Sequence, residues 1–79
     1  RLVAQLEKER MEITEDQARI RANMGGIDRA SELYARYMQT LNQQETRLEA
    51  LRTEVAQARA EQQRLQRELE AFLSALNVE

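Results

Sequence analysis

Residues 16–28 of this 79-residue chain read DQARIRANMGGID and contain both of its glycines, Gly25 and Gly26. On either side the sequence is rich in helix-forming residues, and the chain has no proline. Glycine is a poor helix former, and a glycine just past a helix closes its last turn in the left-handed conformation. The stretch therefore predicts that one helix ends near residue 24 and that the chain reverses before the next helix begins.

Beyond this stretch, from residue 31 onward, apolar residues recur with the heptad spacing of a coiled coil. Positions 34, 41, 48, 55, 62, 69 and 76 form column a of the seam, and positions 37, 44, 51, 58, 65 and 72 form column d. Ten of these thirteen positions hold a large apolar or aromatic residue, the exceptions being Gln44, Ala58 and Gln62. A repeat held over about six heptads predicts a long helix that needs a partner helix, because a lone helix cannot bury such a seam.

The first segment repeats the pattern more weakly, with Leu6, Ile13 and Ile20 at d and two polar residues, Arg10 and Gln17, at a. We therefore predict a first helix over residues 1–24, a turn over 25–30 and a second helix over 31–77. The expected fold is all-α, an antiparallel two-helix coiled-coil hairpin with a short first helix and a long second helix. The chain is expected to be one coiled-coil unit excised from a larger protein, with its first helix truncated at the N-terminus.

A turn centred near residue 27 predicts which residues of the two helices meet. It places Arg10 opposite Gln44, and a hydrogen-bonded polar pair at this point of the seam would disfavour slipped registers. The same register predicts three apolar layers, namely Ile20 with Tyr34, Ile13 with Leu41, and Leu6 with Leu48.

This register leaves the end of the second helix without a partner, because the first helix runs out opposite about residue 53. The residues left uncovered are Val55, Ala58, Leu65, Leu69, Phe72 and Leu76. Fully burying a large apolar side chain contributes about 1.5–3 kcal/mol. We expect an upstream part of the first helix to cover them in the parent protein. In the isolated chain we expect an antiparallel homodimer through residues 51–76, with Leu76 on Leu51 and Phe72 on Val55 of the second copy.

Composition excludes several classes of function. The chain has neither cysteine nor histidine, which removes thiolate chemistry, the commonest metal ligand and the usual general base near neutral pH. Charged residues make up 33% of the chain and the formal net charge is −2, which gives no reason to expect a nucleic-acid partner. No run approaches the ~18–20 apolar residues that span a bilayer. We expect no enzymatic activity, no cofactor and no membrane span.

Several residues have both a functional and a purely structural interpretation. The run Gln17, Arg19, Arg21 and Asn23 is a possible interaction patch near the hairpin tip, although helix capping and local ion pairing explain it as well. Tyr34 and Tyr37 would suit base stacking, but their a and d positions favour packing in the seam. Glu45 and Glu49 could approach a cation, but without a third ligand a solvated helix face is the simpler interpretation.

The stretches ITEDQARIRANMG and SELYARYMQTLNQQETRLEALRTEV carry a family resemblance. They resemble the C-terminal helical tail of the bacterial mucoidy-inhibitor-A-like family, which is built on a β-sandwich domain of unknown function. The resemblance covers roughly residues 9–76, and it implies a longer first helix upstream and no particular activity. The matching residues are Gln17, Arg19, Ile20, Arg21, Asn23, Arg36, Tyr37, Leu41, Gln44 and Glu45.

The sequence thus predicts a structural or protein–protein interaction element of a bacterial protein. A nucleic-acid-binding helical arm of a larger enzyme is the main alternative, but it would need a basic stripe, whereas Arg and Glu are mixed along this chain. A helix lying on a membrane surface is a third possibility. It is disfavoured because the polar face is not rich in lysine and the apolar seam is narrow.

Overall fold

Two helices and a short connection account for the residues that the structure, a computed structural model, describes (1–77). Helix α1 spans Leu2–Met24 and helix α2 spans Glu32–Leu76. The chain is an all-α hairpin with a short first helix and a long second helix, which confirms the predicted fold class. It measures 74 × 15 × 11 Å. The length is set mainly by the 45 residues of α2, and α1 lies beside only part of that helix.

The end of α1 differs from the glycine geometry predicted from sequence. Gly25 and Gly26 lie in the connection, but neither has a positive φ, and Gly25 has right-handed helical angles of φ −62° and ψ −22°. The amides of Gly25, Gly26 and Ile27 each donate to the carbonyl three residues earlier, at 3.2–3.3 Å. The helix therefore ends by tightening into 3₁₀-type turns. The low helix propensity of glycine favours this ending without a left-handed residue.

The start of α2 is fixed by two side-chain caps. The Asp28 carboxylate accepts a hydrogen bond from the Ala30 amide at 3.0 Å, and the Ser31 amide donates to the Asp28 carbonyl at 3.0 Å. Ser31 is extended and its Oγ accepts from the Tyr34 amide at 3.1 Å, so it is the N-cap. The connection thus runs from residue 25 to residue 31, and hydrogen bonds order it at both ends.

The core of the hairpin is small. Its buried apolar residues are Leu6, Ile20 and Leu51, with 9%, 1% and 0% of their surface exposed, and Gln17 is buried among them. Within residues 1–77, neither helix contains a stretch long and apolar enough to cross a membrane. Apart from the exposed Arg10, the remaining seam positions of the paired region are half-buried, as expected for two helices with no third layer.

The register of the hairpin corrects the predicted one. Gln44 donates a hydrogen bond to Asp16 at 2.7 Å, whereas Arg10 is exposed and donates to Glu7 at 2.9 Å, so the predicted Arg10–Gln44 pair is not formed. Gln17 donates to Glu45 at 2.8 Å, whereas a turn centred near residue 27 would place it opposite residue 37. Relative to the predicted register, the two helices are therefore displaced along each other by about one heptad. Such a shift keeps column a of one helix facing column d of the other, so the apolar spacing alone could not select between the two registers.

The corrected register also shortens the uncovered part of α2. Val55 and Ala58, predicted to be free, are half-buried, and Ala58 lines a groove with Leu2 and Leu6 of α1. Leu51 has no exposed surface, so the expected contact of Leu76 with Leu51 of a second copy is wrong. α1 leaves exposed the end of α2 and the residue that follows it, and we call this stretch, residues 61–77, the overhang.

Candidate interaction surfaces

Two polar pairs bridge the helices in the middle of the hairpin and form what we call the polar cluster (Asp16, Gln17, Gln44 and Glu45). Gln17 donates to Glu45, and Gln44 donates to Asp16, which also accepts from Arg19 at 2.9 Å. These two donors, Arg19 first and Gln44 second, lower the pKa of Asp16 below its usual value. The single side-chain oxygen of Gln44, Oε1, is buried and has no partner among residues 1–77.

The polar cluster acts on register more than on stability. A buried amide without a partner costs free energy, whereas a seam residue whose partner occurs at only one register disfavours every other register. Gln44 donates to Asp16, and its acceptor has no partner among residues 1–77. Because Gln44 would face Arg10 in the predicted register, we infer that the second pair, Gln17 with Glu45, acts with it in selecting the observed register.

Ion pairs join the helices nearer to the N-terminus. Arg47 makes two hydrogen bonds to the Glu9 carboxylate, at 2.7 and 2.9 Å, and a third to Glu54 at 3.1 Å. This contact lowers the pKa of Glu9 and raises the pKa of Arg47. Glu7 is held by Arg10 and by Arg59 at 2.9 Å, and both arginines lower its pKa. All of these side chains are partly exposed, so the pairs are screened by solvent and contribute modestly.

The interaction patch predicted at Gln17, Arg19, Arg21 and Asn23 is not a single free surface. Gln17 is buried, Arg19 is bound to Asp16, and the Asn23 amide donates to the Tyr37 hydroxyl at 3.2 Å. Arg21 is the one member that makes no side-chain hydrogen bond or ion pair within the described chain. Gln17, Arg19 and Asn23 therefore serve the hairpin itself.

The remaining candidates also lie within the hairpin. Tyr34 and Tyr37 are half-buried at the helix interface, and Tyr37 is hydrogen-bonded there. Glu45 accepts from Gln17, while Glu49 lines an open groove. Among residues 1–77, no group of three or more His, Cys, Asp or Glu side chains is arranged to hold a metal ion.

At the closed end of the hairpin, the structure forms a groove that the sequence did not predict, although the predicted interaction patch includes one of its residues, Arg21. We call it the tip groove, and it is lined by Arg21, Met24, Gly25, Ile27, Arg29, Tyr34 and Leu41. Arg21 and Arg29 belong to different segments and share a surface only because the connection folds back. The one signal in the sequence was the local excess of arginine, with four arginines against two carboxylates in residues 18–37.

At the opposite end, the overhang carries an exposed apolar stripe. Its members are Leu65, Leu69, Phe72, Leu73 and Leu76. Each of them has between 47% and 61% of its surface exposed to solvent. Leu73 lies outside columns a and d, so the heptad assignment missed it. The polar side chains of the overhang bond to one another along the helix, with Arg64 contacting Glu61 and Glu68.

The tip groove and the overhang differ in the chemistry they offer to a ligand. The overhang offers apolar area on a single helix, and the tip groove offers two guanidinium groups beside partly exposed apolar side chains.

In comparisons with known proteins, no family model, no curated protein and no solved structure matches the chain.

Proposed function

We propose that the chain is a structural, protein-interaction coiled-coil element with no catalytic activity of its own, and that it acts by pairing its overhang with another helix. The observation that carries the proposal is the contrast along α2. Leu51 has no exposed surface, whereas Phe72 is 61% exposed on the same helix. Fully burying a large apolar side chain contributes about 1.5–3 kcal/mol, and five such side chains, each still about half exposed, lie together here.

The partner that best fits the overhang is a second copy, antiparallel across a two-fold axis. In one register of this dimer, every large apolar seam residue of the overhang packs on a large apolar seam residue of the second copy. Leu69 then packs on Phe72 of the second copy, Leu65 packs on Leu76, and the symmetry repeats both contacts. Columns a and d face each other throughout this pairing, as an antiparallel coiled coil requires.

The neighbouring register, one heptad closer, is less favourable. It would place Gln62 against Phe72 of the second copy and Leu76 against Ala58, which α1 already covers in part. It would also bring Glu68 beside Glu68 of the second copy, and two like charges that face each other are destabilising. The proposed contact is therefore confined to residues 64–77.

The size of the contact predicts a weak dimer. Five side chains with about half of their surface free can bury at most roughly 500 Å² per copy, or about 1,000 Å² in total, so the contact does not exceed the lower limit for a specific interface. Association at this limit is sensitive to concentration. The dimer should therefore form at high micromolar concentration and dissociate on dilution.

Sedimentation velocity over a wide concentration range tests the proposal. The wild-type chain should shift from monomer to dimer, and the double variant Leu69→Gln/Phe72→Gln should stay monomeric with an unchanged circular dichroism spectrum. The matched control is Ala71→Gln/Ser74→Gln, which adds the same amide groups on the opposite side of the overhang. A fully helical wild-type monomer at every concentration would contradict the proposed dimer, as would an equal effect of the control.

A further inference from the structure

We propose that the tip groove binds an acidic peptide segment that carries one apolar side chain between carboxylates. The site lies at the other end of the molecule from the overhang, so it is independent of the proposed dimer. Its lining combines Arg21 and Arg29 with the half-buried side chains of Met24, Ile27 and Tyr34. Neither the heptad seam nor the hairpin core requires arginine at these two positions.

The charge of the tip groove sets it apart from the grooves along the shaft, by which we mean the paired part of the hairpin between the connection and the overhang. Those grooves contain carboxylates, namely Glu7, Glu45 and Glu49 in one, Glu54 in a second, and Glu7 and Glu15 in a third. The tip groove contains two arginines and no carboxylate. Within residues 1–77, neither Arg21 nor Arg29 makes an ion pair, whereas nearby Arg19 is bound to Asp16. A ligand that brings carboxylates would therefore find two unoccupied guanidinium groups.

The sign of the local charge favours an anion over the whole tip. Residues 18–37 hold four arginines and two carboxylates, although the complete chain has a net charge of −2. One of the two carboxylates, Asp28, is engaged with the Ala30 amide. Because the rest of the chain is acidic, an acidic peptide would be repelled by the shaft and attracted only to this end.

The apolar part of the groove distinguishes a peptide from a simple anion. Met24, Ile27, Tyr34 and Leu41 are each partly exposed around the same depression. An apolar side chain of the ligand can pack there while its neighbouring carboxylates reach the guanidinium groups, which bind carboxylates in a two-pronged geometry. A phosphate backbone offers the charge without an apolar group at this spacing, so the groove favours peptide over nucleic acid.

The groove is also ordered before any ligand arrives. The amides of Gly25, Gly26 and Ile27 bond back to α1, and the cap residues Asp28 and Ser31 hold the other side of the connection. A preformed site avoids much of the entropy cost of binding.

Nuclear magnetic resonance on the ¹⁵N-labelled 79-residue chain tests the inference with a defined probe. The probe is the capped peptide Glu-Glu-Leu-Glu-Glu, compared with Gln-Gln-Leu-Gln-Gln and with a single-stranded RNA oligonucleotide. The acidic peptide should shift the backbone amides of residues 21–41, more weakly at high salt, and the glutamine peptide should not. Shifts confined to the shaft, no shifts at all, or tighter binding of the RNA at the same salt concentration would overturn the inference.

A pair of charge-matched variants locates the effect. Arg21→Gln/Arg29→Gln should weaken binding of the acidic peptide about threefold to tenfold for each guanidinium removed. Arg52→Gln/Arg67→Gln removes the same charge from exposed positions outside the tip and should change binding little. Equal weakening by both pairs would show that only net charge matters and would overturn the site. The overhang variant Leu69→Gln/Phe72→Gln should still bind the peptide, which separates this test from that of the dimer.

Discussion

At the scale of single residues, the glycines of the connection do not need their conformational freedom. Both have φ in the ordinary negative range, and a Cβ built on Gly26 meets no atom within 4 Å. Their contribution is therefore a low helix propensity, which lets α1 stop and the caps at Asp28 and Ser31 take over. The expectation of a left-handed glycine followed a common pattern of helix ends, and this helix end uses a different one.

It follows that Gly26→Ala should be tolerated. We expect it to stabilise the hairpin by about 0.4–1 kcal/mol, because alanine restricts the unfolded chain and meets no steric obstacle here. Ser31→Ala is the informative contrast, since it removes the N-cap of α2 and should destabilise by about 0.5–2 kcal/mol. Thermal unfolding followed by circular dichroism measures both. A marked loss of stability in Gly26→Ala would mean that the connection does require glycine.

Leu51 is the residue on which the small core depends most. It is fully buried, and truncating such a leucine typically costs about 2–5 kcal/mol. A hairpin of this size has little stability in reserve, so Leu51→Ala should abolish cooperative unfolding at low concentration. Leu65→Ala makes the same chemical change on the overhang and should leave the monomer unfolding curve nearly unchanged. Similar curves for the two variants would contradict the burial of Leu51 against α1.

At the scale of elements, the helix ends could be predicted, whereas the register could not. The glycine pair and Ser31 mark boundaries in the local sequence, and the structure has helices at Leu2–Met24 and Glu32–Leu76. The register depends on Asp16 and Glu45, which flank the seam and are invisible to a heptad count. The tip groove was missed for a related reason, because Arg21 and Arg29 become neighbours only after the chain reverses.

Replacing Gln44 by leucine tests whether the polar cluster selects the register. The variant removes a buried oxygen without a partner and adds apolar area, so stability should be equal or higher. It also removes the contact with Asp16 that distinguishes the two registers. We expect extra or broadened amide signals in the ¹H–¹⁵N spectrum, from helices in two registers. A single sharp set of signals, with wild-type shifts away from the substitution, would show that the contact of Gln44 with Asp16 does not select the register.

The ion pair between α1 and α2 predicts a pH dependence. Hydrogen bonds from Arg47 lower the pKa of Glu9 below its ordinary value of 4.5. The folded hairpin therefore binds that proton less readily than the unfolded chain does. The resulting stabilisation is present above about pH 4.5 and is lost as the pH falls through the lower pKa of the folded state.

Melting temperatures measured between neutral and acidic pH should show this dependence. The Glu9→Gln variant should lose less stability than the wild type over that window, because it has no carboxylate to protonate. Glu12→Gln is the control, since Glu12 is exposed and makes no ion pair within residues 1–77. General repulsion among the arginines at low pH affects all three proteins alike. Parallel curves for the wild type and Glu9→Gln would therefore show that the pair does not couple to folding.

At the scale of the whole molecule, the two proposed surfaces lie at opposite ends of a rod 74 Å long. Pairing through residues 64–77 overlaps only about 20 Å of each copy, at ~1.5 Å per residue. The dimer would therefore be an extended rod of about 130 Å with a tip groove at each end. Such a molecule could hold two acidic segments far apart, and no short peptide could bridge both grooves.

Small-angle X-ray scattering distinguishes this arrangement from a compact one. At concentrations where sedimentation shows a dimer, the largest dimension should rise from about 75 Å to about 130 Å, because end-to-end pairing adds length without adding width. Side-by-side association of two complete hairpins would instead raise the mass while leaving the length close to that of the monomer. That result would place the contact on the shaft, where Leu51 is already buried, and would rule out the overhang as the dimer surface.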